Sequence, residues 1–447
     1  MVEAKWRGAR KAAGAEIVPL SENQWHLKRV ALRACVRIRQ CAALVHCRNV
    51  LFQVSPMFVH WFCPQFAQHS SFREFLALLF ATLSLAVVAA PAPTAGIERT
   101  VITLGVSSPL TGSEASVGVD YLAGAKLAFD AANKAGGVFG RSIALKVLDD
   151  AGKADATAAN TKRLIGDGVF ALFGFYGGNN TLAALPAINE AAIPLVGVFT
   201  GNQSLRDPAN RHVFHARTGY YAEIAHVSQK LTAMSANRIA VVHFDDRGGT
   251  DSGLRTAEEF KKLGVDVRAV VPVVRGSTNI EAAATKLAKS DAQWVVMILT
   301  NKSAAALIRR TRELGGYFQF LSLSFTNASA LIADLGSKKS IGLAFSQVVP
   351  NPLTESGSKA STEFRQLAGS SVPFNYVAME GFMTAKVMIE GLKRAGAEPT
   401  REKFIAGLDS GKPVTIGEYA VRYTPQDHTG GNFVELTVVD RYQRLIR

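Results

Sequence analysis

At 447 residues the chain is long enough for two or three domains with cores of their own, and 48% hydrophobic with 19% charged residues excludes a disordered polymer. The formal charge of +14 suggests a nucleic-acid partner, but half of it, +7, sits in residues 1–95 and the other +7 is spread over the rest among interleaved acids. That is an ordinary solvated surface, and no nucleic-acid partner is expected. Cys35, Cys41, Cys47 and Cys63 all precede residue 64. Their spacing fits no zinc pattern, which needs close Cys-x-x-Cys pairs, and His46 beside Cys47 is a lone neighbour.

Residues 1–70 carry Arg, Cys and Trp without sustained periodicity. From Phe75 to Ala90, "FLALLFATLSLAVVAA" is apolar apart from Thr82 and Ser84, follows Arg73 and precedes "PAPTAG". The run is short for a membrane span of about 20 residues and matches the apolar region of a secretory signal; an uncleaved anchor is the alternative. A signal peptide is expected over 71–95, cleaved near Ala95, with no following cysteine for lipid attachment. Such a signal belongs at the start of a chain. Translation is therefore expected to begin internally, at Met57 for example, with residues 1–70 unstructured or absent from the mature protein.

After Ile97, short apolar runs alternate with longer helical patterns. Strands are expected at Val101–Val106, Ile143–Leu148, Val169–Phe173 and Leu195–Phe199, then at Arg238–His243, Val265–Val271, Trp294–Leu299 and Phe318–Leu323. Between them the period is 3.6, as in Tyr121–Ala135, where Leu122, Ala125, Phe129 and Ala132 recur. Near-continuous apolar strands alternating with helices mean parallel sheets covered on both faces. The expected fold is α/β, with two doubly wound parallel-sheet lobes of four strands each and a connection near residues 212–222. A strand at Ile341–Val348, a helix at Tyr376–Ala395 and a strand at Phe433–Val439 return the chain to both lobes. Ligands of open α/β sheets sit beyond the carboxyl ends of the strands, so facing lobes place both sets of strand-end loops along one cleft.

Three first-lobe loops are "SSPLTGSEASVGVD" (107–120), "GFYGGNNT" (174–181) and "VFTGNQS" (198–204). They are rich in hydroxyls, amides and backbone N–H groups near helix starts, which suits an anion such as a carboxylate. Thr181 is expected to open a helix. The second lobe offers "FDDRGGTDSG" (244–253), "LTNKSAA" (299–305) and "LSFTNAS" (323–329). Asp245 and Asp246, beside Arg247 and without a nearby His, read as a turn held by side-chain hydrogen bonds. Neither a dinucleotide fingerprint nor a phosphate loop occurs, so no cofactor is expected. No metal-like histidine pair occurs; His212 and His215 fall in a strand and point to opposite faces. With no Gly-x-Ser-x-Gly elbow or reactive cysteine, an enzyme is disfavoured.

"PLTGSEASVGVDYLAGAKLAFDAANKAGGVFGRSIALKVLDDAGKADATAANTKRLI" (109–165), "GVFALFGFYGGNNTLAALPAINEAAIPLVGVFTGNQSLR" (168–206) and "RIAVVHFDDRGGTDSGLRTAEEFKKLGVDV" (238–267) resemble the leucine/isoleucine/valine-binding type of periplasmic solute-binding protein, the extracytoplasmic component of ABC importers. The resemblance covers residues 97–447. It implies a type I periplasmic binding fold with three hinge crossings, placed near Thr218, Gln347 and Pro413. Lobe one is then 97–218 with 347–413, and lobe two 219–346 with 414–447. It implies carboxylate-holding loops at Gly178, Asn179, Phe199, Thr200 and Gly201, with second-lobe contacts at Tyr220, near Gly248, at Thr300 and at Ser324. Ser324 stands where amino-acid binders carry an acid for the ligand's ammonium, and a buried ammonium without a counter-charge is costly. Phe199 is bulky where a small residue is usual, and Tyr176 adds aromatic surface. The expected ligand is therefore a carboxylate- or amide-bearing solute, aromatic or aliphatic, rather than a zwitterionic branched-chain amino acid. The resemblance implies a periplasmic location and an inner-membrane ABC permease as partner. A ligand-sensing module of the same fold, as in amide-responsive regulators or chemoreceptors, is the alternative; a nucleotide-dependent enzyme is a weaker one.

Overall fold

The computed structural model describes residues 94–353 and 358–446. The expected signal peptide, the N-terminal extension, Met57 and all four cysteines lie outside the described residues. In the first lobe the order is β1 (Val101–Ser108), α1 (Ala115–Lys134), β2 (Ser142–Asp149), α2 (Ala154–Gly166), β3 (Ala171–Phe173), α3 (Gly178–Glu190), β4 (Leu195–Val196) and β5 (Val213–Phe214). All five strands are parallel, in the order β2-β1-β3-β4-β5. Leu104, Val106, Leu172 and Leu195 are wholly buried, as expected of a parallel sheet covered on both faces.

The second lobe follows with α4 (Tyr220–Ala233), β6 (Arg238–Phe244), α5 (Arg247–Lys262), β7 (Asp266–Val273), α6 (Glu281–Ala288), β8 (Trp294–Ile298), α7 (Asn301–Glu313), β9 (Gln319–Ser322), α8 (Ala328–Leu335), α9 (Ser337–Ser340) and β10 (Ala344–Gln347). Helix α5 shows why these segments pack as they do. Gly249, Ser252, Gly253, Thr256, Ala257 and Phe260 recur at three or four residues and are buried, while Lys261 and Lys262 sit at its carboxyl end, where the helix dipole favours cations.

The chain then forms α10 (Lys359–Ala368), α11 (Tyr376–Ala395), α12 (Arg401–Leu408), β11 (Val414–Ile416), β12 (Tyr419–Thr424), β13 (Asp427–Gly430), β14 (Glu435–Val439) and β15 (Leu445–Ile446). The second sheet has the order β15-β14-β10-β9-β8-β6-β7; β6 to β10 are parallel, and β14 alone runs the other way, antiparallel to both β10 and β15.

The doubly wound α/β architecture is as expected; three details differ. The first lobe has five parallel strands rather than four, because β5 extends the series, while the strand expected at Ile341–Val348 joins the second sheet as β10. Helix α3 begins at Gly178, so Thr181 does not open it; the Thr181 hydroxyl donates to the Gly177 carbonyl at 2.8 Å. Finally, β11, β12 and β13 form a separate antiparallel sheet, and it packs on the first lobe. His215 N–H donates to the His428 carbonyl at 3.0 Å, and Tyr423 Oη donates to the His215 carbonyl at 2.9 Å. Residues 414–430 therefore brace the first lobe, and the chain re-enters the second sheet only at β14, after Gly430 instead of near Pro413. Gly430 (φ +86°) is required at this approach: a Cβ there would lie 1.8 Å from the His215 carbonyl oxygen.

Asp149, at the end of β2, ties two strand-end loops together. It accepts from Leu110 N–H and Ala151 N–H at 2.9 Å and from the Thr111 hydroxyl at 2.6 Å. These bonds, the Thr111 hydroxyl foremost, hold its carboxyl down at about 2. The loops so pinned carry Ser113, Glu114 and Gly152 to the mouth between the lobes.

Candidate ligand-binding cleft

The carboxyl ends of the two parallel sheets enclose a cavity of about 200 Å3, below the about 300–1,000 Å3 of drug-sized sites, so it suits a small solute. Gly178, Asn179, Phe199, Thr200, Tyr220, Gly248 and Thr300 all line it, as does Tyr176. Gly201 and Ser324 do not: each lies one residue from a residue that does, Thr200 or Phe325. The Gly201 carbonyl accepts from Tyr220 N–H at 2.8 Å, and a Cβ at Gly201 would stand 2.3 Å from the Tyr220 ring. Gly201 thus seats Tyr220 instead of touching the cavity.

Four helices, two from each lobe, aim their amino ends at this space. Their cap residues Glu114 (α1), Gly177 (α3), Asp246 (α5) and Thr300 (α7) all line it. Glu114 and Asp246 bring negative charge to their own helix ends, and Asp246 Oδ1 accepts from Gly249 N–H at 2.9 Å. The ends of α3 and α7 have no acid. Gly177 (φ +79°) has no side chain to cap α3, and Thr300 makes no side-chain bond to α7. The first-turn N–H groups of α3 therefore have no intrahelical acceptor. Beside them Asn180, 7% exposed, has a buried Nδ2 without a partner. Donors without acceptors in a closed space make an anion site with a geometric basis.

The apolar wall is aromatic. Tyr176 stacks on Phe199 with ring centroids 6.2 Å apart, and Tyr220 meets Phe325 edge-on at 5.6 Å. Thr200 Oγ1 lies 3.2 Å from Tyr220 Oη, linking the hinge to the first lobe. At the rim, Tyr176 Oη donates to Glu114 at 3.0 Å, and Arg275 pairs with Asp246. Glu114, Asp246 and Arg275 escaped the sequence reading as cleft residues. For the first two a signal existed, an acid immediately before a helical run; Arg275, on the loop after β7, gave none.

Beneath the cavity lies a buried charged network. Glu223 accepts from Ser324 N–H at 2.7 Å and from Ser324 Oγ at 2.9 Å, and also from Ser346 Oγ. Arg217 donates to Ser324 Oγ, lies 3.6 Å from Glu380 on α11 and stacks over the Phe199 ring at 4.6 Å. Arg206 donates to the Arg217 carbonyl at 3.0 Å. Ser324 therefore belongs to the hinge, and its lack of an acidic group carries no information about a ligand's ammonium. The acids at the cavity wall are Glu114 and Asp246.

Burial pushes the Glu380 carboxyl up from 4.5 to about 7, against the attraction of Arg217. Between those values the folded protein holds a proton that the unfolded chain releases. This group thus withdraws stability as the pH rises through that window, fully so above it. Glu380→Gln should remove the slope: denaturation at about pH 5 and about pH 8 should show the variant gaining on the parent as pH rises. An unchanged difference would place the Glu380 transition elsewhere.

The lobes touch beside the cavity. Asn327, at the start of α8, donates Nδ2 to Asp120 Oδ2 on α1 at 2.9 Å, and Asn375 donates to the same oxygen at 2.8 Å. A Cβ at Gly248 would lie 3.2 Å from Asn202 Nδ2 of the opposite lobe. His215 is wholly buried and His212 reaches Asn189. Among the described residues no three metal-binding side chains gather, and no helix is long and apolar enough to cross a membrane.

Two wound lobes closing strand-end loops around a small cavity are the frame of a two-lobed solute-binding protein, a class that works by hinge closure. The chain belongs to the periplasmic binding protein family, whose model matches residues 101–442, and it is of the Leu/Ile/Val-binding type. Leu/Ile/Val-binding protein homolog 3 of Brucella melitensis is 26% identical over 335 residues, covering 72% of this chain and 87% of the relative. A substrate-binding periplasmic protein from Ralstonia solanacearum is 30% identical with a TM-score of 0.71, over 77% of this chain and 99% of that one. A branched-chain amino acid ABC transporter protein from Thermus thermophilus with bound valine shares the fold at a TM-score of 0.68 and 18% identity, over 78% and 96% of the two chains.

Proposed function

We propose that the chain is an exported, periplasmic solute-binding protein that captures a small carboxylate- or amide-bearing solute, aromatic or aliphatic, between its lobes. It delivers that solute to the inner-membrane permease of an ABC importer. The observation that carries this reading is the pair of acid-free helix ends, α3 and α7, facing one cavity with the unpartnered Asn180 amide beside them. In this reading Gly178, Asn179, Thr200 and Thr300 hold the solute's anionic or amide end, and Phe199 and Tyr220 flank its body. Gly201 and Ser324 act from beneath by seating Tyr220 and Arg217. The names of the relatives support capture of amino-acid-like acids.

The test is a thermal-unfolding screen of the purified protein against amino acids, amides, and aromatic and aliphatic acids, followed by calorimetry. Ligand at about 100 times its Kd adds about 2.7 kcal/mol of stability, so a true solute stands out. No shift with any carboxylate or amide would end this reading. Thr200→Ala should weaken the best carboxylate by about 1.5–3 kcal/mol through loss of a charge-assisted hydrogen bond; unchanged affinity would remove Thr200 from the site.

A further inference from the structure

We propose that Arg275 is a specificity-determining residue: its terminal guanidinium nitrogens receive an uncharged oxygen acceptor, a hydroxyl, carbonyl or amide oxygen, at the end of the solute remote from its carboxylate. This rests on reading the cleft as a carboxylate site. Arg275 lines the cavity on the second-lobe rim. Two contacts fix its head, one of them anchored in turn. Nε is committed to Asp246, Asp246 is itself fixed by Gly249 N–H at 2.9 Å, and the guanidinium lies 4.0 Å over the Phe244 ring. Nη1 and Nη2 make no hydrogen bond among the described residues. A side chain 47% exposed, held in one plane with two donors uncommitted, is a pre-oriented fork for an acceptor.

Charge selects the kind of acceptor. Asp246 already balances Arg275, and Glu114 adds a further negative charge to the cavity wall, where Tyr176 donates to it at 3.0 Å. A second carboxylate would meet a rim of net negative charge, whereas a neutral oxygen takes the two N–H groups without that repulsion. The acid-free ends of α3 and α7 leave the first carboxylate its own place. The solute class is therefore a monocarboxylate with a polar, uncharged tip.

The test uses two isosteric sets of probes, leucine, glutamine and glutamate, and 4-methylbenzoate, 4-carbamoylbenzoate and terephthalate, titrated by calorimetry into the purified protein. In at least one set the amide-tipped probe should bind about tenfold or more tighter than the methyl-tipped one, and tighter than the dicarboxylate. Arg275→Met should collapse that preference to within about threefold, while the uncompensated Asp246 weakens the amide- and methyl-tipped monocarboxylates of a set by a similar factor on top of it. Arg275→Lys, which keeps the charge beside Asp246 without the fork, should lose most of it as well, and carries the test if the Met variant does not fold. Amide preference that survives both substitutions, no preference in the parent, or tightest binding of a dicarboxylate overturns the proposal alone. Binding of none of the six probes overturns this proposal; only if no carboxylate or amide shifts the protein in the thermal-unfolding screen does the carboxylate reading fall with it.

Discussion

Arg217→Ala should lower the free energy of unfolding by about 3–5 kcal/mol, the cost of breaking a buried ion pair from one side. The side chain is wholly buried and is the only described ion-pair partner of Glu380, itself 5% exposed at the side chain. It also supports Ser324 beside the buried Glu223. Removing it leaves Glu380 without a counter-charge, takes a donor from Ser324 and leaves a hole below Phe199. Arg217→Met with Glu380→Gln should recover most of the loss, because a neutral pair of similar volume avoids the stranded charge. Urea denaturation of the single and double variants makes the comparison. A single variant that costs under about 1 kcal/mol would show the pair contributes little.

The second large effect is expected where α1 and α11 cross. A Cβ on Gly124 would lie 1.7 Å from the Ala378 carbonyl oxygen, and one on Gly381 would lie 1.9 Å from that of Tyr121. The obstacles are backbone atoms, so no side chain can swing aside. Gly381→Val should therefore exceed the about 1–3 kcal/mol of ordinary overpacking. The damage should extend to ligand affinity, because Glu114 caps α1 and α11 carries Glu380. Gly166→Ala, at a helix end with nothing within 4 Å, is the control and should leave the free energy of unfolding within about 0.5 kcal/mol of the parent. Equal midpoints for the two variants would mean that the helices can separate freely.

Long, regular segments were legible in the sequence. The helix expected at Tyr376–Ala395 has those bounds, and β1 and β2 each differ from their expected ranges by two residues in all, because period and length decide such elements. The two-residue β5 and the partly polar β11–β13 were not legible. Their strands are defined by what they pair with, His428 against His215 for example, not by a pattern of their own. Of the positions expected at the candidate cleft, Gly201 and Ser324 fall one residue from its lining. Gly201 is taken up by Tyr220, whose N–H its carbonyl accepts, and Ser324 by Glu223, while Phe325 reaches the cavity in its place. Arg275 was invisible for a different reason: its role comes from Asp246, 29 residues away, and from the Phe244 ring.

The grip of Asn327 on Asp120 has a consequence for ionic conditions. Across that contact the lobes meet through an amide donating to a carboxylate, not through two opposite charges. Dissolved salt weakens attraction between separated surface charges, but it has little purchase on a short bond between a dipole and an ion. Closure at this contact is thus largely indifferent to ionic strength. Salt dependence of capture is then to be sought in the charged rim, the Arg275–Asp246 pair and the solute that approaches it, and not in this contact.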